Sequence, residues 1–355
     1  MREKLIGICL PAGRQGTYWD LGFNCTVTFK MNKVPAKIRV GITMGDPSGI
    51  GPTTIAKAIP KVKDLAEFVV IGDEWVFNKV AGRTSHVAGL RFIDLNNVDR
   101  KKFEFGKVSA EYGRASIEYL DKALELIKKK EADCLVTCPI SKEAVNLGGC
   151  RFWGHTEYLE RHTKTKQTVM MLLNKELKFS LVTRHIPLKD VSRALNRDKL
   201  YQNIYITYRA LKDIFFIGNP HIVVCGLNPH ASDNGIIGKE ENRVVQPVLS
   251  RVRNKIRYID GPISADVAVF KARQKEYDCV IAMYHDQALI PLKLLGNNTG
   301  VNLTLGLPFI RTSPLHGTAF DIAGTGLPDP SSLIEAIKLA VKCTLNLLER
   351  RFAQT

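Results

Sequence analysis

From residue 38 onward, apolar and polar positions follow two alternating rhythms. Residues 38–44, 68–71, 134–137, 179–182, 221–227 and 278–283 are short, nearly continuous apolar runs, the signature of strands buried on both faces. Between them the spacing turns helical. Residues 110–130 carry Ile117, Leu120, Ala123, Leu124 and Ile127 on one face, as an amphipathic surface helix does. The last helix is predicted to open with a capping box, Ser332 and Glu335, and to bury Ile334, Ile337, Val341, Leu345 and Leu348 along one stripe. A further helix is predicted after the Gly-Pro-rich turn 45–52, running toward Pro60. Strands alternating with helices predict a mixed α/β sheet layered by helices, with no internal repeat and no low-complexity linker.

The first 30 residues break this rhythm: Leu5 to Leu10 is too short and poorly flanked for a secretory signal, and Gly13 to Asn24 has no periodicity. Met31 is therefore the expected start, and residues 1–37 an extension outside the fold. The whole chain of 355 residues, 45% hydrophobic and 24% charged, has the mix and length for two domains with sizeable cores. Its net charge of +16 is scattered, and the densest cluster, Lys128 to Lys130, closes a helix where cations suit the dipole. Basic residues do not interleave with aromatics on one stripe, so no nucleic-acid partner is expected. Attraction of anionic substrates is the benefit such charge offers. No apolar stretch is long enough to span a membrane. Of the eight cysteines, Cys134, Cys138, Cys225, Cys279 and Cys343 lie within apolar patterns and read as buried free thiols. No pair has two-residue spacing, which points to a reducing compartment, the cytoplasm.

Candidate chemistry begins with three histidines that follow apolar runs: His185 in Thr183-Arg-His-Ile-Pro, His230 in Asn228-Pro-His, and His285 in Tyr284-His-Asp-Gln. These positions are loops at strand ends, where α/β proteins place ligands. One such histidine is more often a hydrogen-bonded structural residue than a ligand. Three in the same context favour a shared divalent-metal site with an open fourth position, the catalytic arrangement. Their wide separation excludes a local zinc finger. The turn Gly45-Asp-Pro-Ser-Gly-Ile-Gly-Pro52 sits between the first strand and first helix. It lets backbone approach an anion at a helix N-terminus, or it is simply a tight turn; its glycine order is not a Rossmann fingerprint.

The segment His316-Gly-Thr-Ala-Phe-Asp-Ile-Ala-Gly-Thr-Gly326 resembles the adenosine-binding loop of isopropylmalate and isocitrate dehydrogenases, which bind nicotinamide cofactors without a Rossmann fold. The resemblance implies NAD or NADP contacts at His316, Gly317, Ala319, Asp321 and Ile322. Gly154-His-Thr-Glu157, Leu227-Asn-Pro-His230, Ala282-Met-Tyr-His-Asp-Gln287 and Asn302-Leu-Thr-Leu-Gly-Leu-Pro-Phe-Ile-Arg-Thr312 extend the match. From about Ile38 to the C-terminus the chain resembles the 4-hydroxythreonine-4-phosphate dehydrogenase family.

That resemblance implies an isopropylmalate dehydrogenase-like fold of two α/β/α domains with mixed sheets and a cleft between them. Residues 38–145 and 300–355 would form the cofactor-side domain and 146–299 the substrate, metal and dimerisation domain. It implies that His185, His230 and His285 bind one divalent ion, zinc first, with magnesium or cobalt as alternatives. It implies substrate contacts at His155, Thr156, Lys293, Asn302 and Arg311, and a homodimer in which His285 reaches the other subunit's metal. The implied reaction is oxidation of 4-phosphohydroxy-L-threonine to 2-amino-3-oxo-4-phosphobutanoate, which decarboxylates to 3-amino-2-oxopropyl phosphate for pyridoxal phosphate synthesis. Asp266, Asp286 and Lys293 are the candidates for taking the hydroxyl proton, Asp286 equally for orienting a histidine. Thr53 departs from the glutamate many relatives carry. The alternatives are the same chemistry on 4-phosphothreonate or a carboxylated cyclohexadiene diol, and, in a different class, a phosphate acyltransferase-like enzyme.

Overall fold

Each predicted apolar run is a strand, and the described residues contain one sheet of eleven. In chain order they are β1 (Arg39–Thr43), β2 (Glu67–Gly72), β3 (Leu90–Asp94), β4 (Cys134–Thr137), β5 (Val169–Leu173), β6 (Lys178–Leu181), β7 (Ile222–Cys225), β8 (Ile259–Ile263), β9 (Cys279–Ala282), β10 (Val301–Leu305) and β11 (Ile310–Pro314). The helices are α1 (Gly51–Val62), α2 (Glu74–Ala81), α3 (Ala110–Lys128), α4 (Lys142–Leu147), α5 (His155–Thr163), α6 (Val191–Ala194), α7 (Arg197–Asp213), α8 (Gln246–Val252), α9 (Ala265–Arg273), α10 (His285–Gly296) and α11 (Ser331–Ala353). The structure, a computed structural model, describes residues 37–81, 90–151, 154–296 and 298–353, all within the unit Val34–Thr355. The expectations about Met31 and the N-terminal extension fall outside the described residues.

The strand order is β3-β2-β1-β4-β11-β10-β5-β6-β9-β7-β8. β3 through β11 run parallel, as do β6, β9, β7 and β8, and the two sets are joined by antiparallel pairings through β10 and β5. The two parallel sets therefore run in opposite senses, and their carboxyl ends lie on opposite edges of the sheet. Segments 38–145 and 300–355 supply β1 to β4, β10 and β11; segment 146–299 supplies the rest; in the sheet the two sets meet at the β10–β5 pairing.

Helices cover both faces, which is why the strands lack polar alternation. In β5, Val169, Met171 and Leu173 join the core that includes Leu200 and Ile204 of α7 and Leu249 of α8. Met170 and Leu172 point the other way, toward Ala268 of α9 and Leu292 of α10. The five cysteines expected to be buried thiols are all buried and free.

The predicted capping box is corrected. Ser332 lies inside α11, where its hydroxyl donates to the Gly300 carbonyl (2.6 Å) and accepts from the Leu315 N–H (3.2 Å), tying the helix to β10 and β11. The cap is Asp329, whose Oδ1 accepts from the Ser331 N–H (3.0 Å) and hydroxyl (2.7 Å). Asp329-Pro330 is the usual start signal, since proline fits the first helical position. Glu335 instead pairs with Lys338 at 3.5 Å.

Candidate active site

β6, β9 and β7 are parallel neighbours, so the segments leaving their carboxyl ends lie along one edge of the sheet. His185 follows β6, His285 opens α10 directly after β9, and His230 lies in the turn after β7. The rings of His185 and His285 approach to 5.6 Å between centroids. Two imidazoles sharing one ion at about 2.1 Å place their centres about 5 Å apart, so rings at 5.6 Å lie within one metal-binding region. Asp286 Oδ1 holds His285 Nδ1 at 2.6 Å, which leaves Nε2 to face a ligand. His230 does not join them: among the described residues no three metal-binding side chains cluster.

The backbone at two of these histidines is strained. His185 has φ 42°, and His230 to Asn234 form an unbroken left-handed run with φ between 42° and 71°. Non-glycine residues in this region cost roughly 1–2 kcal/mol each. The two residues leading into the proline before the run are held by Glu241, wholly buried, whose Oε1 accepts from the Leu227 and Asn228 N–H groups (both 2.8 Å) and whose Oε2 accepts from Asn228 Nδ2 (2.9 Å). Strain of this kind clusters at functional sites.

Arg311, only 2% exposed, lies in the middle of the sheet. It pairs across the ladder with Thr304, and its Nη1 donates to Thr304 Oγ1 at 3.1 Å. Its Nε (3.2 Å) and Nη2 both donate to Thr137 Oγ1 at the end of β4. Asn302, two residues before Thr304 and so on the same face, has a buried Oδ1 with no partner. No carboxylate pairs directly with Arg311 among the described residues; Glu157 acts on it only at a distance. Burial lowers its pKa to about 9, which still leaves it charged at neutral pH. Two hydroxyls satisfy hydrogen bonds but do not neutralise a cation, so the charge is left available to an anion.

His155, at the first turn of α5, lies in the field of Arg311 and of Lys142 at the start of α4. Burial first, and those two charges next, push its pKa well below the imidazole value, so its ring is neutral. Thr156 beside it is buried. Lys142 and His285 also act on His185, whose pKa burial lowers, and Glu157 pairs with Arg184 at 3.6 Å. Lys142 thus acts on both His155 and His185, and Glu157 on both Arg311 and His185.

Lys293, expected at the substrate, is eight residues beyond His285 on α10, about 12 Å along the helix. There it lines a cavity of about 340 Å³ with His316, Ala319 and Ile322 of the expected cofactor loop, Ile50 of the glycine turn, and Asp329. Gly317 and Asp321 are not on its wall. The glycine turn and the loop are bonded together: the Ile50 N–H donates to the Thr318 carbonyl at 3.0 Å, and a Cβ at Gly49 would press on that oxygen at 3.2 Å. From α1, Lys57 Nζ donates to the Gly326 and Pro328 carbonyls. His316 Nδ1 meets the Gly317 carbonyl at 3.1 Å, while its buried Nε2 has no partner and burial lowers its pKa. Apolar walls with one unpartnered ring nitrogen suit an adenine. Asp266 lies apart in the first turn of α9, its carboxyl held below the usual range by the Ser264 hydroxyl and felt by His230.

The family model for the pyridoxal phosphate biosynthetic protein PdxA matches residues 56–340. The chain belongs to the PdxA family. It is 42% identical over 319 residues to the 4-hydroxythreonine-4-phosphate dehydrogenase of Sulfurihydrogenibium sp. (strain YO3AOP1), covering 86% of this chain and 98% of the relative. It is 39% identical over 321 residues to the D-threonate 4-phosphate dehydrogenase of Salmonella typhimurium, covering 85% and 98%. The crystal structure of 4-hydroxythreonine-4-phosphate dehydrogenase from Klebsiella pneumoniae superposes with a TM-score of 0.76 at 34% identity, covering 87% and 98%.

As a PdxA-family dehydrogenase the protein is an oxidoreductase. Sequence reasoning had not singled out Thr137, Thr304, Lys142, Lys57 or Asp329. Thr304 had a signal, a polar side chain alternating with leucines in a strand; Lys142 and Lys57 had none, because both are single surface-type cations on helices.

Proposed function

We propose that this PdxA-family enzyme oxidises 4-phosphohydroxy-L-threonine to 2-amino-3-oxo-4-phosphobutanoate with NAD or NADP, and that the product decarboxylates to 3-amino-2-oxopropyl phosphate. The observation that carries the reading is Arg311, a buried cation with hydroxyl partners and no directly paired carboxylate, linked to His185 through Glu157, whose charge acts on both. Arg311 holds an anionic end of the substrate. His155 supplies a neutral ring, Thr156 a hydroxyl at a helix N-terminus, and Asn302 an unpartnered amide oxygen, each suited to fixing the substrate's polar groups. His185, His230 and His285 would hold the divalent ion, zinc first, with magnesium or cobalt as alternatives. When bound, the ion supplies Lewis acidity at the substrate oxygen and the nicotinamide accepts a hydride. Asp286 orients His285 through the Nδ1 contact, which suits it less to taking a proton. His316, Ala319 and Ile322 would receive the adenosine end of the cofactor.

The reading includes a homodimer with His285 given to the partner's site, and the strand sets 38–145 with 300–355 and 146–299 as two domains around a cleft. Val267 and Phe270 of α9 and Ile290 and Leu294 of α10 are 40%, 61%, 60% and 77% exposed, an apolar surface that a second copy would cover. A cytoplasmic location is supported by the buried free thiols. A second reading, 4-phosphothreonate as substrate, is favoured by the name of the Salmonella relative.

The test follows reduced-nicotinamide absorbance with each substrate, with NAD and NADP, before and after chelation. The proposal predicts turnover of the amino substrate that chelator abolishes and divalent ion restores. Preference for the threonate moves the chain to the second reading; no turnover of either, or chelator-insensitive turnover, overturns the proposal.

A further inference from the structure

We infer that Arg184 is a further substrate-binding residue, holding an anionic group of the substrate other than the one at Arg311, so that the site selects acids charged at both ends. The inference rests on the reading of this region as the substrate site. Arg184 stands between two fixed neighbours. The Thr183 N–H (3.2 Å) and hydroxyl (2.6 Å) both donate to the Met283 carbonyl just beyond β9, and His185 is held at its left-handed φ. The segment leaving β6 is thereby set at Arg184, whose side chain is 20% exposed and meets Glu157 in the first turn of α5.

That ion pair does not satisfy the guanidinium. Its Nη2 to Oε1 separation, 3.6 Å, is beyond hydrogen-bond reach, and Nη1 is buried with no hydrogen-bond partner among the described residues. Arginine and carboxylate often meet as a fork of two bonds, but the second Glu157 oxygen, Oε2, is turned back over Gly154, where a Cβ would meet it at 2.9 Å. Glu157 is also a shared anion, since its charge acts on Arg311 and His185. One carboxylate cannot neutralise two guanidinium groups. Lys199, in the first turn of α7, adds a third cation, its pKa lowered by burial and then by Arg184. A buried N–H left unpaired is costly, and beside His185 an anionic group of the ligand is the partner that would satisfy it.

The test is steady-state kinetics of the full, metal-loaded chain on the phosphorylated substrate it turns over, comparing Arg184→Met, Arg184→Lys and Glu157→Gln with wild type. Arg184→Met should raise KM about thirtyfold with kcat changed less than about threefold, and Arg184→Lys should recover part of the loss. Glu157→Gln breaks the ion pair but leaves the guanidinium in place, so it should not reproduce that rise. Inhibition constants then identify the group: the Arg184→Met penalty should vanish for either the carboxamide analogue of the substrate or its unphosphorylated form, whichever lacks the group that Arg184 holds. An unchanged KM in Arg184→Met, an equal rise in Glu157→Gln, or the same penalty on both analogues overturns the inference and leaves the proposed reaction standing. A wild-type enzyme that turns over neither phosphorylated substrate overturns both.

Discussion

Arg311 shows at residue scale what burying a cation costs. Its charge is kept in the sheet interior by two threonine hydroxyls, where an apolar side chain would pack without desolvating an ion. Arg311→Met should therefore hold or raise Tm while lowering kcat/KM by at least about a hundredfold, since charge-assisted bonds contribute roughly 1.5–3 kcal/mol each. Thermal melts and steady-state kinetics check this; a lower Tm with activity retained would make Arg311 structural. The family resemblance singled out Arg311, Asn302, His155 and Thr156, and a lone arginine in an apolar strand is itself a visible anomaly. The threonines were not legible as partners, because Thr137 and Thr304 meet Arg311 only through the β4–β11–β10 register.

At the scale of elements, apolar runs and helical spacing located the strands and the long helices, because both faces of each strand are buried and α3 and α11 have one apolar stripe. Caps were harder: Ser332 and Glu335 have the capping-box spacing, but Asp329-Pro330 starts α11 and frees Ser332 to tie Gly300 and Leu315. The glycine turn was ambiguous alone. Folding resolves it, since Ile50 bonds to Thr318 and Lys57 clamps the carbonyls of Gly326 and Pro328, so α1 and its leading turn position the loop 316–326. Lys57→Met should raise the KM for the nicotinamide cofactor about tenfold with kcat changed less than about twofold, and Lys57→Arg should recover most of the loss. Saturation kinetics in cofactor decide it; a fall in kcat at unchanged KM would contradict a positioning role.

For the whole molecule, the two parallel strand sets run in opposite senses, and α10 spans from the histidine edge, where it starts with His285, to the cavity lined by Lys293 and His316. Within one chain His185 and His285 meet and His230 stands apart, and α9 and α10 expose apolar side chains. The proposed sharing of the site between two copies came from the family resemblance alone, because an interface between copies leaves no periodicity in the chain. The most direct measurement mixes two inactive variants, His185→Ala and His285→Ala, unfolds and refolds them together, and assays metal-dependent turnover. A site shared between subunits leaves one intact site in each mixed dimer, so activity should return to about a quarter of wild type. A mixture as inactive as its parents would place His185 and His285 on the same ion within one chain and contradict the shared site.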